Sequence, residues 1–338
     1  MIWLSWRQFR TQVITGLVLL IAVVAIYVST RSPLLDLARD SGYLGCTADC
    51  DRLGNAFLRT MRSTYFSDLY LLGSVILFLT PPLVGLFWGA PLVARELETG
   101  TYRLVWNQTI SRNRWLAAKL GLGALATAGF AGLTSFALTA WASPIDKAET
   151  WITPLIFPTR GVVPIGYAVL AFVLGVTIGM LLRRTVAAMA VTLVVVLASM
   201  VGVALGGQFL VAKSTYQAAL GADWDGGLSL SPDDPQRRIR LEVESPVQHT
   251  WVITNQVLSS TGVAWNGPYD PDVCGPKAPR GGPDGCRTWI ASQNLHQKVT
   301  YIGPDKFWAL QWRELGVLLV ASSLLAIFCF WWIRRRVA

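Results

Sequence analysis

The chain has 338 residues, 53% of them hydrophobic, and a mean hydropathy of +0.44. Charged residues make up 14%, against about 25% in a soluble globular domain. That excludes a chain that folds in water around one core, and the net charge of +9 must be read together with its placement along the chain.

Residues 1–12, MIWLSWRQFRTQ, lead with Ile2, Trp6 and Phe9 into Val13 along one helical stripe, with Arg7, Gln8 and Arg10 off it. This pattern predicts a short amphipathic helix lying in a membrane interface. Residues 13–29 follow as a first apolar run long enough to span. No small-x-small cleavage site follows it, so it reads as a retained helix and not a signal peptide. Residues 30–67 read as a polar external loop. Residues 69–90 form a second span holding Pro81 and Pro82, which remove two backbone donors and predict a kink. A polar, basic connector runs over residues 94–119. Spans are expected at about 120–141, 164–182 and 186–206, the last two joined through Arg183-Arg184. Residues 207–312 are rich in Gly, Pro and Asp, with candidate strands at 240–244 and 250–254. The sixth span, 315–333, ends on Arg334-Arg335-Arg336.

The expected fold class is therefore an all-α polytopic membrane protein with six transmembrane helices. Residues 1–206 are its membrane domain, 207–312 an extracytoplasmic domain or long folded loop, and 313–338 the sixth span with a basic cytosolic tail. With both termini cytosolic, 12 of the 29 Lys/Arg but 2 of the 20 acidic residues, Glu96 and Glu98, fall in short inner segments. That asymmetry follows the positive-inside rule and explains the basic chain without nucleic acid. The five Lys/Arg of 30–67 oppose this orientation and are outvoted. Trp88, Trp331 and Trp332 mark inner span ends, and Trp141, Trp308 and Trp312 outer ones, as expected for indoles at headgroup level.

Cys46, Cys50, Cys274 and Cys286 all fall in segments placed outside, and Cys329 in the sixth span. Four external cysteines read as disulfides. Cys46–Cys50 with Cys274–Cys286 is the simplest of three connectivities. A metal site using His249 and His296 is the rival reading, and neither histidine stands at ligand spacing to a cysteine pair.

Small residues recur every fourth position in the third span (Ala124, Ala128, Gly132), the fourth (Ala171, Gly175, Gly179) and the fifth (Ala198, Gly202, Gly206). This spacing predicts close helix contacts. No ionisable side chain falls inside a span, with Asp68, Arg313 and Glu314 read as edge residues. That disfavours a secondary transporter, which usually needs such groups, and suits a lipophilic or amphipathic substrate. Residues 207–214, GQFLVAKS, imitate a phosphate loop, and 205–208, LGGQ, an ATPase signature. Neither has the strand–loop–helix context that the chemistry needs.

Glu96, Glu98, Gly100-Thr101, Leu104, Ser111-Arg112 and Lys119 together resemble the connector of ABC-2 exporter permeases. The six spans, the amphipathic N-terminus and the large loop before the last span resemble that family's plan. Thr109 departs from it where the family often has proline. The resemblance implies that a short helix after Gly100, capped by Thr101, docks on a separate ATP-binding ABC subunit. Leu97, Thr101, Leu104 and Gln108 would share its face, with Arg112 and Lys119 opening the third span. Glu98 is expected near Arg95 and Arg103. ATP and Mg would be bound by that partner, leaving this chain without cofactor, metal or catalytic residues of its own. A second permease copy, identical or different, would complete the complex in the cell membrane. The expected function is ATP-driven export of a lipophilic compound such as a drug, antibiotic or lipid. The rival from another class is a membrane sensor or anchor whose external domain binds a ligand.

Overall fold

The structure is a computed structural model and describes residues 2–47, 50–101, 111–150, 152–224, 226–230, 238–247, 249–268, 270–274 and 282–335. In chain order the described helices are α1 (Ile2–Asp40), α2 (Asp51–Arg62), α3 (Phe66–Val84), α4 (Ala90–Thr99), α5 (Arg112–Ala148), α6 (Val163–Leu182), α7 (Thr185–Gly206), α8 (Pro271–Cys274), α9 (Gly282–Ser292) and α10 (Phe307–Arg335). The strands are β1 (Ser214–Ala219), β2 (Gly226–Leu230), β3 (Arg238–Val243), β4 (Trp251–Leu258), β5 (Gly267–Pro268) and β6 (His296–Ile302). They fall into two compact units, Met1–Leu210 with Phe307–Ala338, and Val211–Lys306.

The first unit is helical. Among the described residues, six helices are long and apolar enough to cross a membrane: Val13–Asp40, Phe66–Thr99, Arg112–Ala148, Val163–Leu182, Thr185–Phe209 and Pro304–Arg335. The six-span plan is present, but several helices outrun the apolar stretches that announced them. The first is unbroken from Ile2 to Asp40, where the sequence suggested an interfacial helix and a separate span ending at 29. No helix breaker separates the two parts. Beyond the apolar run, Leu34 and Ala38 keep one buried stripe at i, i+4. That stripe packs with Phe57, Leu138, Trp141 and Ala142.

Residues 30–67 are correspondingly not an open loop. After α1 ends, α2 buries Gly54, Phe57, Leu58 and Met61, the i, i+3, i+4, i+7 face of an amphipathic helix. Tyr43 stacks on Phe57 with ring centroids 5.7 Å apart. Cys46 and Cys50 are disulfide-bonded in the turn between α1 and α2.

Helix α6 is the centre of this unit. Of its most apolar stretch, 72% is buried, against 17–39% for the other five, so it is the helix the others pack around. Its closest neighbour is the second span. There Pro81 and Pro82 cannot donate to the carbonyls one turn back, and a five-residue π-helical turn, Gly85–Gly89, follows before α4. Such wide turns relieve an interrupted hydrogen-bond ladder. The two backbones nearly touch: a Cβ on Gly89 would lie 2.5 Å from the Phe172 carbonyl, and one on Gly175 2.5 Å from the Gly85 carbonyl. The fourth-span stripe Ala171, Gly175, Gly179 thus makes the close contact its spacing suggested. Gly132 of the third span packs on Ile165. The fifth-span stripe differs, because a Cβ on Gly202 or Gly206 would meet nothing within 4 Å. The outward faces remain apolar, with Ile14, Val18, Phe136 and Val186 exposed, as lipid contact requires.

The second unit, residues 211–306, gives the external segment a fold that its composition left open. It holds two three-stranded antiparallel sheets, ordered β1-β6-β4 and β2-β3-β5. The candidate strands at 240–244 and 250–254 fall on β3 and β4. The core gathers Leu220, Trp224, Leu241, Val243, Val257, Ile290 and Leu295. The Cys274–Cys286 disulfide links α8 to α9, and Cys286 lies within that core. Residues 207–214 run from the end of α7 through one 3-10 turn into β1. That helix-to-strand order is the reverse of a phosphate loop.

Candidate functional site

The connector leaves the bundle at Thr99 and re-enters at Ser111. Helix α4 ends because Gly100 adopts a left-handed conformation, φ 72° and ψ 4°, which glycine reaches without Cβ strain. Helix α5 begins on Ser111, whose hydroxyl accepts from the Arg114 backbone N–H at 3.4 Å, a serine N-cap. Leu104, with residues 102–110 around it, lies outside the described residues.

The helix that Thr101 is expected to cap lies outside the described residues. The Thr101 hydroxyl lies 3.0 Å from that of Thr99 and donates to the Glu96 carbonyl at 3.5 Å. Among the described contacts it therefore serves the end of α4. Leu97 is corrected: it packs inward on the cluster of Val84, Val93, Trp115 and Phe172, so it belongs to the bundle and not to a partner-facing stripe.

Two acidic side chains fasten the stems. Lys119 Nζ lies 2.5 Å from Glu96 Oε1 and donates to the Leu92 carbonyl at 3.2 Å. Its side chain is 3% exposed and that of Glu96 15%, so the pair is desolvated and little screened. The ammonium also sits 4.8 Å from the centre of the Trp115 ring, within cation–π range. Glu98 reaches across to α7. Its Oε2 accepts from the Thr185 backbone N–H at 2.9 Å and hydroxyl at 2.6 Å. A carboxylate from α4 thereby caps the N-terminus of α7, where backbone donors lack helical partners and the dipole favours negative charge. Arg112 is half-buried at the first turn of α5. Arg334 donates to Asn113 Oδ1 at 3.2 Å, so α10 joins the same end.

A second polar cluster lies at the opposite end of the helices, and the sequence reading missed it. Arg160, fully buried between α5 and α6, donates to both carboxylate oxygens of Asp146, at 2.8 and 3.4 Å. The Tyr70 hydroxyl donates to Asp146 Oδ1 at 2.9 Å, and the Tyr70 ring lies 4.8 Å from the guanidinium. Ser74 and Thr159 accept from Arg160 Nη1. Burial alone would lower the Arg160 pKa, but the Asp146 carboxylate and Tyr70 outweigh it, so the value is raised. Close by in the chain, Gln311 of α10 accepts from the Val162 and Val163 N–H groups at 2.9 and 3.0 Å. Glu314, read from sequence as an edge residue, is 2% exposed and accepts from the Tyr167 hydroxyl at 2.8 Å. The reading that no ionisable side chain falls inside a span does not anticipate that such groups are buried at the helix ends. The available signal was Arg160 itself, a lone arginine in the apolar, turn-rich run IFPTRGVVP.

Among the described residues, no group of three or more His, Cys, Asp or Glu could hold a metal ion. The arrangement offers fixed points between helices. Comparison with curated proteins and with solved structures gives no match. A family model described as ABC-2 membrane transporter related matches residues 17–206, more than half of the chain and five of its six candidate spans. Members of that group are membrane subunits, not themselves catalytic, and generally work with an ATP-binding subunit. The chain belongs to the ABC-2 membrane transporter related family and is an ABC-2-type permease.

Proposed function

We propose that this permease is the membrane subunit of an ATP-driven exporter, and that residues 94–119 receive the closing motion of an ATP-binding partner. The supporting observation is how the segment is rooted. Glu96–Lys119 binds one stem to the other inside the bundle, and Glu98–Thr185 binds the first stem to α7. A force applied between residues 100 and 111 is transmitted to α4, α5 and α7 together, because neither stem can move alone without breaking a charged contact. In this reading both termini and the connector are cytosolic, and the unit Val211–Lys306 is external. ATP and Mg belong to the partner, and a second permease copy completes the complex. The apolar faces and the scarcity of polar groups along the middle of the spans suit a lipophilic or amphipathic substrate.

The test is to copurify the ATPase and measure substrate-stimulated hydrolysis in Leu104→Asp and Gly100→Leu. Leu104→Asp places a charge on the segment assigned to the partner and is expected to weaken ATPase association. Gly100→Leu strains a left-handed position and is expected to lower transport. Full association and coupling in the combined variant would sink the docking role.

A further inference from the structure

The second unit carries a cavity of about 480 Å³, within the few hundred to one thousand Å³ typical of small-molecule sites. It lies between β3 and β4 and is bounded by residues 264–266, ahead of β5. Its walls are mixed. Val243 and Val257 are buried and apolar, Trp265 is half-buried, and Asn255, Gln256 and Glu242 supply polar atoms.

Three features make it a formed site. First, its frame is bridged: the Asn255 amide donates to the Val243 carbonyl at 2.7 Å and accepts from Gln297 at 3.1 Å. This connects a strand of each sheet and holds the walls apart at a fixed width. Second, Trp265 is set in place. Its backbone N–H donates to the Val257 carbonyl at 2.8 Å, and its indole lies over Gly267, where a Cβ would fall 2.1 Å from a ring atom. Only glycine at that β5 position leaves room for the ring. Third, Glu242 is exposed, and its carboxylate makes no hydrogen bond or ion pair among the described residues. It is the one ionisable side chain lining the cavity.

A flat apolar surface and a single unpaired carboxylate select one ligand chemistry. An aromatic face attracts cations through its quadrupole, a carboxylate attracts them by charge, and both disfavour anions. We propose that this cavity binds a flat organic cation, stacked on Trp265 and paired with Glu242. This rests on the second unit alone and does not depend on the export reading or on which side of a membrane the unit lies.

The experiment uses the full chain in nanodiscs, with empty nanodiscs subtracted, and reads ethidium binding by fluorescence anisotropy. Phenanthridine, a neutral ring system of related shape, is the control, followed by calorimetry. Glu242→Gln removes the charge from an exposed side chain, so folding is preserved. It is expected to weaken ethidium about two- to fivefold and to leave phenanthridine unchanged. Trp265→Ala and Gly267→Ala, which remove or displace the indole, are expected to weaken both probes, and Trp265→Phe to retain most binding. Ethidium binding no stronger than to empty nanodiscs overturns the proposal. So does a Glu242→Gln variant that binds ethidium as the parent does, or that loses both probes equally, whatever Trp265→Ala does.

Discussion

Glu98 of α4 holds both the backbone N–H and the hydroxyl of Thr185, at 2.9 and 2.6 Å, across 87 residues of chain. An exposed carboxylate would ordinarily contribute little to stability. Its importance here is geometric, since it supplies the N-cap that Arg184 at the start of α7 does not provide.

Glu98→Ala loses both bonds, whereas Thr185→Val loses only the hydroxyl bond. Glu98→Gln keeps an acceptor oxygen and should retain part of the function. The expected order of lost ATPase coupling is therefore Glu98→Ala, then Thr185→Val, then Glu98→Gln, with thermal unfolding little changed in all three. The double variant Glu98→Ala/Thr185→Val should be no worse than Glu98→Ala alone. Additive losses would show that the two residues act separately.

Lys119 and Glu96 should behave as a buried pair. Removing one partner of such a pair costs about 3–5 kcal/mol, because the other charge is left desolvated, while replacing both with apolar groups is often neutral. Lys119→Met is thus expected to lower the unfolding midpoint in detergent clearly more than Lys119→Met/Glu96→Met does. Thermal unfolding of the two variants side by side decides it. A double variant as unstable as the single would mean that the pair itself, with the Leu92 carbonyl contact, dominates.

The six spans were legible because lipid imposes a long apolar run, and such runs are read directly from hydropathy. Their true lengths were not. The last turns of α1 and α5 are polar outside and apolar only along one stripe, as at Leu34 and Ala38, and hydropathy averages that stripe away. Connector residues Glu96 and Lys119 stood out as rare polar groups, yet their mutual contact spans 23 residues and no local pattern announces it. Asp146, Arg160 and Tyr70 were missed for the same reason: the three come from separate elements, and each alone looks like a headgroup-level residue. Likewise, Leu97 sits on the expected connector face by spacing, and only tertiary packing assigns it inward.

The close contact between the second and fourth spans predicts an asymmetry among glycines. Gly175→Ala would put a Cβ 2.5 Å from the Gly85 carbonyl, a backbone atom with no rotamer to change. Overpacking of this kind costs about 1–3 kcal/mol. Gly202→Ala has open space and exchanges glycine for a better helix former, worth up to about 1 kcal/mol in favour of the helix. Unfolding temperature and yield should fall for Gly175→Ala and hold or rise for Gly202→Ala. Equal tolerance at both positions would contradict the helix contact.

The Asp146–Arg160 clasp offers the sharpest contrast between a buried and an exposed ion pair in one protein. Side chains of Arg160 and Asp146 are 0% and 2% exposed, whereas those of Arg62 and Glu149, whose pair is also 2.8 Å long, are 59% and 31% exposed. The shortest distance is equal, so burial and the extra contacts of the buried pair set the energies apart. Arg160→Met leaves Asp146 buried with only the Tyr70 hydroxyl, and should cost about 3–5 kcal/mol. Arg160→Lys is not conservative either. An ammonium cannot reproduce the two-oxygen contact or the planar packing against Tyr70, so most of that loss is expected to remain. Tyr70→Phe removes one bond to Asp146 Oδ1 and should cost about 1–3 kcal/mol, the penalty for leaving a buried acceptor under-satisfied. Arg62→Ala, by contrast, should change stability by about 0–1 kcal/mol. Salt separates the two pairs further, because screening acts through solvent. Raising sodium chloride from 0.1 to 1 M should remove the Arg62 effect and leave the Arg160 effect intact. Unfolding curves of the three Arg160 and Tyr70 variants and Arg62→Ala at both salt concentrations provide the check. An Arg160→Met variant that unfolds like the parent, or whose deficit disappears in salt, would mean that this end of the bundle is open to water and that α5 and α6 are held together by their apolar contacts alone.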